Sequence, residues 1–280
     1  MDESQTLLQL DDLKAAHRAM WSCGDYTTVA DTVIPRLGET LVDACAPSPN
    51  DHVLDLACGS GNATLPAASL SATVTAVDLS DSLLATCAQR ARAERLDVTC
   101  VPADVEDLPF SDSVFDMVLS CVGVMFAPHH HAAANELLRV CRPGGTVGLL
   151  SWSGRGFIGQ LLAAMRPFVP QPPPGAQPPA LWADVDHVRE LVGKRLGPLS
   201  TRTDVVRVTA FEQPADFRRF FADSYGPMVA AFARLSDDAA RTRELEDVID
   251  DLAHRHWQAD GSMEWEYVIV TATRLSEEDS

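Results

Sequence analysis

The sequence predicts an α/β fold built on a doubly wound parallel sheet. Short apolar runs alternate with helix-patterned stretches between His52 and Trp152, as strand–helix–strand units require. The first of these runs passes into a helix through two closely spaced glycines, Gly59 and Gly61. At 280 residues and 46% hydrophobic composition, the chain can bury one large α/β core, alone or with a smaller cap.

Two amphipathic helices come first. Leu10, Leu13, His17 and Met20 share one face, and Val33, Leu37, Leu41 and Ala44 share another, with Trp21–Ala30 as the connector. Strands follow at His52–Leu56, Thr73–Val77, Val98–Val101, Val114–Leu119 and Thr146–Trp152. Helices are expected over Asn62–Ser69, Ser80–Ala93 and His131–Cys141, and a loop over Pro102–Ser113. Ser80 is the predicted N-cap of its helix, with Asp81 in the first turn favouring the helix dipole. Arg142-Pro143-Gly144-Gly145 predicts a turn. Pro167–Pro179 is proline-rich and reads as a rigid linker or surface loop. Beyond it, helices are expected at Asp186–Leu196, Pro214–Phe221 and Ser236–His256, and strands at Thr203–Thr209 and Glu264–Thr273.

Charge narrows the partners. A formal net charge of −18 repels phosphate backbones and anionic membrane surfaces, and no Lys/Arg cluster offsets it. Neither nucleic acid nor membrane is therefore expected. The opening MDESQTLLQLDDLK lacks a basic segment followed by an apolar one, so no secretory signal is read and a cytoplasmic location is expected. The seven cysteines contain no C-x-x-C pair and read as reduced, half-buried thiols.

The sharpest motif is Val53-Leu54-Asp55-Leu56-Ala57-Cys58-Gly59-Ser60-Gly61-Asn62. Glycines after a strand let backbone approach a ligand and adopt positive φ. Asp78 ends the next strand, where a carboxylate can accept both hydrogen bonds of a ribose diol. Asp104 follows the third strand and faces the same crevice. A nicotinamide-dependent oxidoreductase is the competing reading. Its G-x-G-x-x-G fingerprint fails here, because Thr64 stands at the third glycine and Asp55 lies inside the first strand.

These segments together resemble the class I S-adenosylmethionine-dependent methyltransferases, in particular the ubiquinone-biosynthesis-like group acting on small molecules. The matching pieces are VLDLACGSGNAT (53–64), VTAVDLSDSLL (74–84), PADVEDLPFSDSVFDMVLS (102–120) and ANELLRVCRPGGTVGLLSW (134–152). Ala57 departs from the glycine of many members. The resemblance implies a Rossmann-like sheet, mostly parallel, with an antiparallel terminal hairpin and a helical cap. Residues 1–46 would form a helical lid, 47–153 the cofactor-binding core, and 154–280 the rest of the sheet with a cap inserted at about 213–261. It implies that Asp55, Ala57 and Gly59 line the methionine end, that Gly61 also belongs to the cofactor-binding set, that Asp78 holds the ribose, and that Leu79 packs on adenine. Asp104 and the Val105 amide would meet the adenine edge. Ser120 and Cys121 would sit beside the sulfonium, and Trp21 and Tyr26 would close over the cofactor. Val122, Met125 and Phe126 would shape the acceptor pocket.

Methyl transfer from a sulfonium needs alignment and exclusion of water, and a base only if the acceptor must lose a proton. His129, His130 and Tyr225 are the candidate catalytic groups. Adjacent histidines point in different directions and do not converge on one ion, so no metal is expected. The predicted function is transfer of a methyl group from S-adenosylmethionine to the O, N or C nucleophile of a small molecule, a specialised metabolite by resemblance, by a monomer or homodimer. The alternatives are a cyclase or decarboxylase that binds the same cofactor without methylating, or a cofactor-binding scaffold.

Overall fold

A computed structural model describes residues 3–276 and 278, with side chains described from Leu13 onward. Leu10 lies within the first helix, but its side chain is outside the described ones. Among the described residues the strands are β1 (His52–Leu56), β2 (Thr73–Asp78), β3 (Val98–Pro102), β4 (Phe115–Cys121), β5 (Cys141–Trp152), β6 (Ser200–Val208) and β7 (Met263–Thr273). They form one sheet in the order β3-β2-β1-β4-β5-β7-β6. The first five run parallel, and β7 is antiparallel to both β5 and β6. Val53, Leu54 and Leu56 are fully buried, as expected of a central parallel strand covered on both faces.

The helices are α1 (Glu3–Ser22), α2 (Tyr26–Val33), α3 (Leu37–Cys45), α4 (Thr64–Ser69), α5 (Asp81–Glu94), α6 (His130–Val140), α7 (Phe157–Met165), α8 (Val185–Val192), α9 (Pro214–Ser224), α10 (Gly226–Arg234) and α11 (Ala239–His256). Chain order reverses between β1 and β4, so their carboxyl ends flank the crevice where such sheets bind ligands.

Several local expectations need correction. The connector after Trp21 contains α2, whose N-terminus is capped by Asp25 accepting from the Thr28 amide at 3.0 Å. Pro35 then separates α2 from α3, and the break rotates the buried stripe: Val42 is buried and Ala44 is exposed. Arg142–Gly145 is a bulged excursion within β5 rather than a free turn. The β4–β5 register jumps there, Gly144 takes φ +78°, and Arg142 pairs with Asp116. The proline-rich segment is pinned to the body, with the Gln177 amide donating to the Pro128 carbonyl at 2.9 Å and Arg241 lying 4.5 Å over the Phe168 ring. α7 and α10 fall where no helix was expected.

The β6–β7 connection carries α9, α10 and α11. A reciprocal Gln213/Asp216 capping box starts α9. Arg218 joins α9 to Glu246 and Asp250 of α11, each at 2.8 Å. Leu245, Ile249 and Leu252 form the buried stripe of α11. No helix among the described residues is long and apolar enough to cross a membrane.

Candidate active site

The carboxyl end of β1 brings Asp55 to the crevice, and the chain then turns through Ala57, Gly59 and Gly61, with φ of 51°, 56° and 97°. The Cys58 amide donates to the Val77 carbonyl at 2.9 Å, which seats the loop on β2. A Cβ on Gly61 would lie 2.9 Å from the Cys87 sulfur, so the loop packs tightly on α5. From the other side α3 presses against the end of the loop: a Cβ on Gly38 would come within 1.8 Å of the Asn62 carbonyl oxygen.

Two carboxylates meet in this crevice. Asp78 is 7% exposed and accepts from the Gly59 amide at 2.9 Å and the Ser80 amide at 2.8 Å. Asp55 is 1% exposed. Its Oδ2 accepts from the Thr64 hydroxyl at 2.6 Å, and its Oδ1 is buried with no partner. Burial pushes its carboxyl up to about 7, with the negative charge of Asp78 adding to the shift. A buried carboxylate with one oxygen unpaired is costly until a cation reaches it.

At the β3 end, Asp104 is held by Lys14 at 2.8 Å, and Lys14 also reaches Glu106 at 2.6 Å. Arg18 donates to the Leu79 carbonyl at 3.0 Å, and the Ser22 and Ser80 hydroxyls lie 3.0 Å apart. Helix α1 is thus attached to the loops after both β2 and β3. His17 faces the same place; burial first, and Lys14 second, lower its pKa.

On the far side of the crevice, Val122 follows β4 at φ +62°, a conformation that a β-branched residue adopts only under strain. Gly123 touches the β1 loop, where a Cβ would be 2.3 Å from the Ala57 carbonyl oxygen. Two strained residues, Ala57 and Val122, therefore flank the switch point, the kind of place where strain collects at functional sites. Above them Trp21 packs edge-on against Tyr26, Phe126 and Tyr225, with centroids 5.9, 4.8 and 6.0 Å away. Burial raises the pKa of the Tyr26 hydroxyl and the Cys121 thiol, so both are protonated at neutral pH.

The resulting cleft encloses about 910 Å³, its open mouth included. Trp21, Tyr26, Asp55, Ala57, Gly59, Asp78, Leu79, Asp104, Val105, Cys121, Val122 and Phe126 all line it. The other residues singled out from the sequence lie elsewhere. Gly61 sits behind the loop. Ser120 donates to the Leu56 carbonyl at 2.7 Å and accepts from the Val124 amide at 2.8 Å, tying β4 to β1. Met125 is fully buried in the core. Tyr225 packs behind Trp21, between α9 and α10. His129 grips Glu106 through its amide and ring, at 2.8 and 3.1 Å. His130 is buried against Trp182 with its Nδ1 2.9 Å from His187 Nε2, and burial lowers its pKa to about 4.

Sequence reasoning missed Lys14, His17, Asn62, Gly123 and Pro128 as lining residues. Lys14, His17 and Trp21 are spaced as one helical stripe, which was a usable signal. It was hidden because His17 also fits the apolar face.

A model described as a methyltransferase domain matches residues 54–149. A demethylmenaquinone methyltransferase from Mycolicibacterium vanbaalenii is 40% identical over 106 residues, 38% of this chain and 44% of that protein. Uncharacterized protein Rv1405c of Mycobacterium tuberculosis is 43% identical over 94% of this chain and 95% of its own length. The chain belongs to the S-adenosylmethionine-dependent methyltransferases. The methyltransferase shares its fold with YcgJ from Bacillus subtilis (TM-score 0.59, 13% identity, 86% of this chain and 99% of that one). It also shares it with the [4+2]-cyclase SpnF (TM-score 0.55, 21% identity, 86% and 81%). The cleft suits the family's cofactor, because the unpartnered Asp55 oxygen is complementary to an ammonium and the Asp78 carboxylate lines the same cleft as a hydrogen-bond acceptor.

Proposed function

We propose that the methyltransferase acts on an uncharged, mainly apolar small molecule by in-line displacement. The observation that carries this reading is the makeup of the cleft. Its charged groups are Asp55, Asp78 and Asp104 along the cofactor edge, and Lys14, which two carboxylates already hold. The opposite wall is Trp21, Tyr26, Cys121, Val122, Gly123, Phe126 and Ala127. An acceptor bearing phosphate or carboxylate would find no cation there and would be desolvated without compensation.

S-adenosylmethionine, when bound, supplies an electrophilic methyl on a sulfonium. In this reading Asp55 pairs with its ammonium, Asp78 accepts from the ribose hydroxyls, and Asp104 and the Val105 amide meet the adenine edge beside Leu79. Ala57 and Gly59 bring backbone close to the methionine portion, while Gly61 and Ser120 hold the loop and β4 in place. Trp21 and Tyr26 close the cleft and exclude water, and Val122 and Phe126 orient the acceptor. Met125 and Tyr225 support that wall from behind. His129 and His130 are engaged by Glu106 and His187, and Cys121 and Tyr26 stay protonated. His17, the imidazole that lines the cleft, sits beside Lys14 and Asp104 at the adenine edge of this reading, so the acceptor brings a nucleophile that reacts without a strong side-chain base.

The test is a metabolite screen with methyl-labelled donor, read by mass spectrometry. Neutral acceptors should become labelled with matching release of S-adenosylhomocysteine. Turnover confined to phosphorylated or carboxylated acceptors would refute the substrate class. Turnover of a substrate without release of S-adenosylhomocysteine would refute methylation.

A further inference from the structure

Strand β6 closes one edge of the sheet, and it is exposed on both faces from Ser200 through Val205. Val205 is 43% exposed, one of the few large apolar side chains left so open. In an antiparallel ladder, alternate residues direct both their N–H and C=O to the same neighbour. Two independent contacts fix which residues of β6 face outward. The Ser153 amide donates to the Glu266 carbonyl at 3.1 Å, so Glu266 faces β5, and its β6 partner Val205 faces away from the sheet. The Val205 amide is taken by the carboxylate of its neighbour Asp204 at 2.8 Å, as an amide without a strand partner would be. Thr201, Thr203 and Val205 therefore direct their backbone groups along the edge, where no strand pairs with them.

We propose that a second copy of this chain pairs with β6, antiparallel and centred on Thr203, joining two seven-stranded sheets across a two-fold axis. Charge selects the occupant and the register. Centring on Thr203 sets Arg202 opposite the partner's Asp204 on one face, and two-fold symmetry repeats the pair. The adjacent registers compatible with the outward-facing residues set Arg202 against the partner's Arg202, or Asp204 against the partner's Asp204. Directly opposed like charges disfavour both. Arg207 is already paired with Asp260 and does not compete. In the favoured register Thr203 faces the partner's Thr203, Thr201 faces the partner's Val205, and each of these pairs exchanges two backbone hydrogen bonds. The Asp204 carboxylate leaves its own Val205 amide and meets the partner's Arg202. The contact is isologous, so it closes as a dimer and does not propagate. The seam is locally neutral, which matters for chains that each carry −18.

Sedimentation velocity on the full chain tests this, with amide hydrogen exchange as a second readout. The wild type is expected to dimerise with rising concentration. Exchange at Thr201, Thr203 and Val205 should slow in step, while Arg202 and Asp204, already bonded to β7, should change little. Thr203→Pro removes an amide that β7 does not use; it should yield a monomer with unchanged S-adenosylmethionine binding. Arg202→Asp should raise the dimer dissociation constant about tenfold, and the Arg202→Asp/Asp204→Arg exchange should restore it. A wild type that stays monomeric up to its solubility limit would overturn the proposal. So would a dimer that Arg202→Asp leaves unaffected, or one whose β6 amides exchange at the monomer rate.

Discussion

Asp55→Asn separates what the fold tolerates from what the cofactor needs. The Asp55 carboxyl rises from 3.8 to about 7 on folding, with burial as the main cause. A shift of roughly three units at about 1.4 kcal/mol each corresponds to about 4 kcal/mol. The sign follows from the raised value. The folded state prefers the protonated form, so the stability associated with that proton is intact below pH 4 and is lost as pH rises toward and through 7. His130 acts in the opposite sense: its pKa is lowered by burial, so its contribution is present above its unfolded value and is lost as pH falls toward 4. The pH profile of the wild type alone therefore mixes two slopes, and only the difference between wild type and Asp55→Asn isolates one. Asparagine keeps an oxygen for the Thr64 hydroxyl and cannot ionise. The variant's stability relative to wild type should therefore rise by up to about 4 kcal/mol between pH 4 and pH 8, measured by urea unfolding without cofactor. Affinity for S-adenosylmethionine at pH 8 should fall at least about a hundredfold, because a buried ion pair is lost. A wild-type-minus-variant difference that is the same at both pH values would refute the buried-carboxylate argument. Unchanged affinity would refute the ammonium assignment.

The other predictions concern the same crevice. Asp78→Ala should abolish cofactor binding by calorimetry, since it removes the acceptors proposed for the ribose and releases the Gly59 and Ser80 amides. Ala57→Gly should raise the thermal midpoint slightly or leave it unchanged, because relief of the left-handed strain, about 1 kcal/mol, offsets the entropy cost of glycine. Gly38→Ala should weaken cofactor binding more than any surface change on α3, because its methyl group displaces the Asn62 carbonyl and with it the glycine loop; calorimetry alongside thermal unfolding distinguishes this from global loss of fold.

The acidic half of the cleft was legible in the sequence because its geometry is local. Asp55, the turn through Gly59 and Gly61, and Asp78 lie on consecutive strand–helix–strand segments, and backbone stereochemistry carries them to one edge once the strands pair in parallel. The Ser80 cap on α5 was legible for the same reason: the capped amide of Leu83 is three residues away. Elements whose form depends on distant partners were not. The Arg142–Gly145 stretch reads as a turn until Asp116 and Arg274 hold it against the sheet. α7 is apolar nearly throughout, with Gln160 as its one polar side chain, so no polar face marks it as a helix; it packs against α11 and β7. Lys14 has no local reason to face the cleft; Asp104 and Glu106, some ninety residues away, draw it there. His129 and His130 look alike in sequence, yet Glu106 engages one and His187 buries the other. Sequence alone thus determined the sheet, the glycine loop and the acidic residues at the strand ends, since each follows from short-range backbone preference. Which side chains form the apolar wall of the cleft, and which edge residues of β6 face outward, were decided only by long-range packing and strand register, where a shift of one residue reverses the answer.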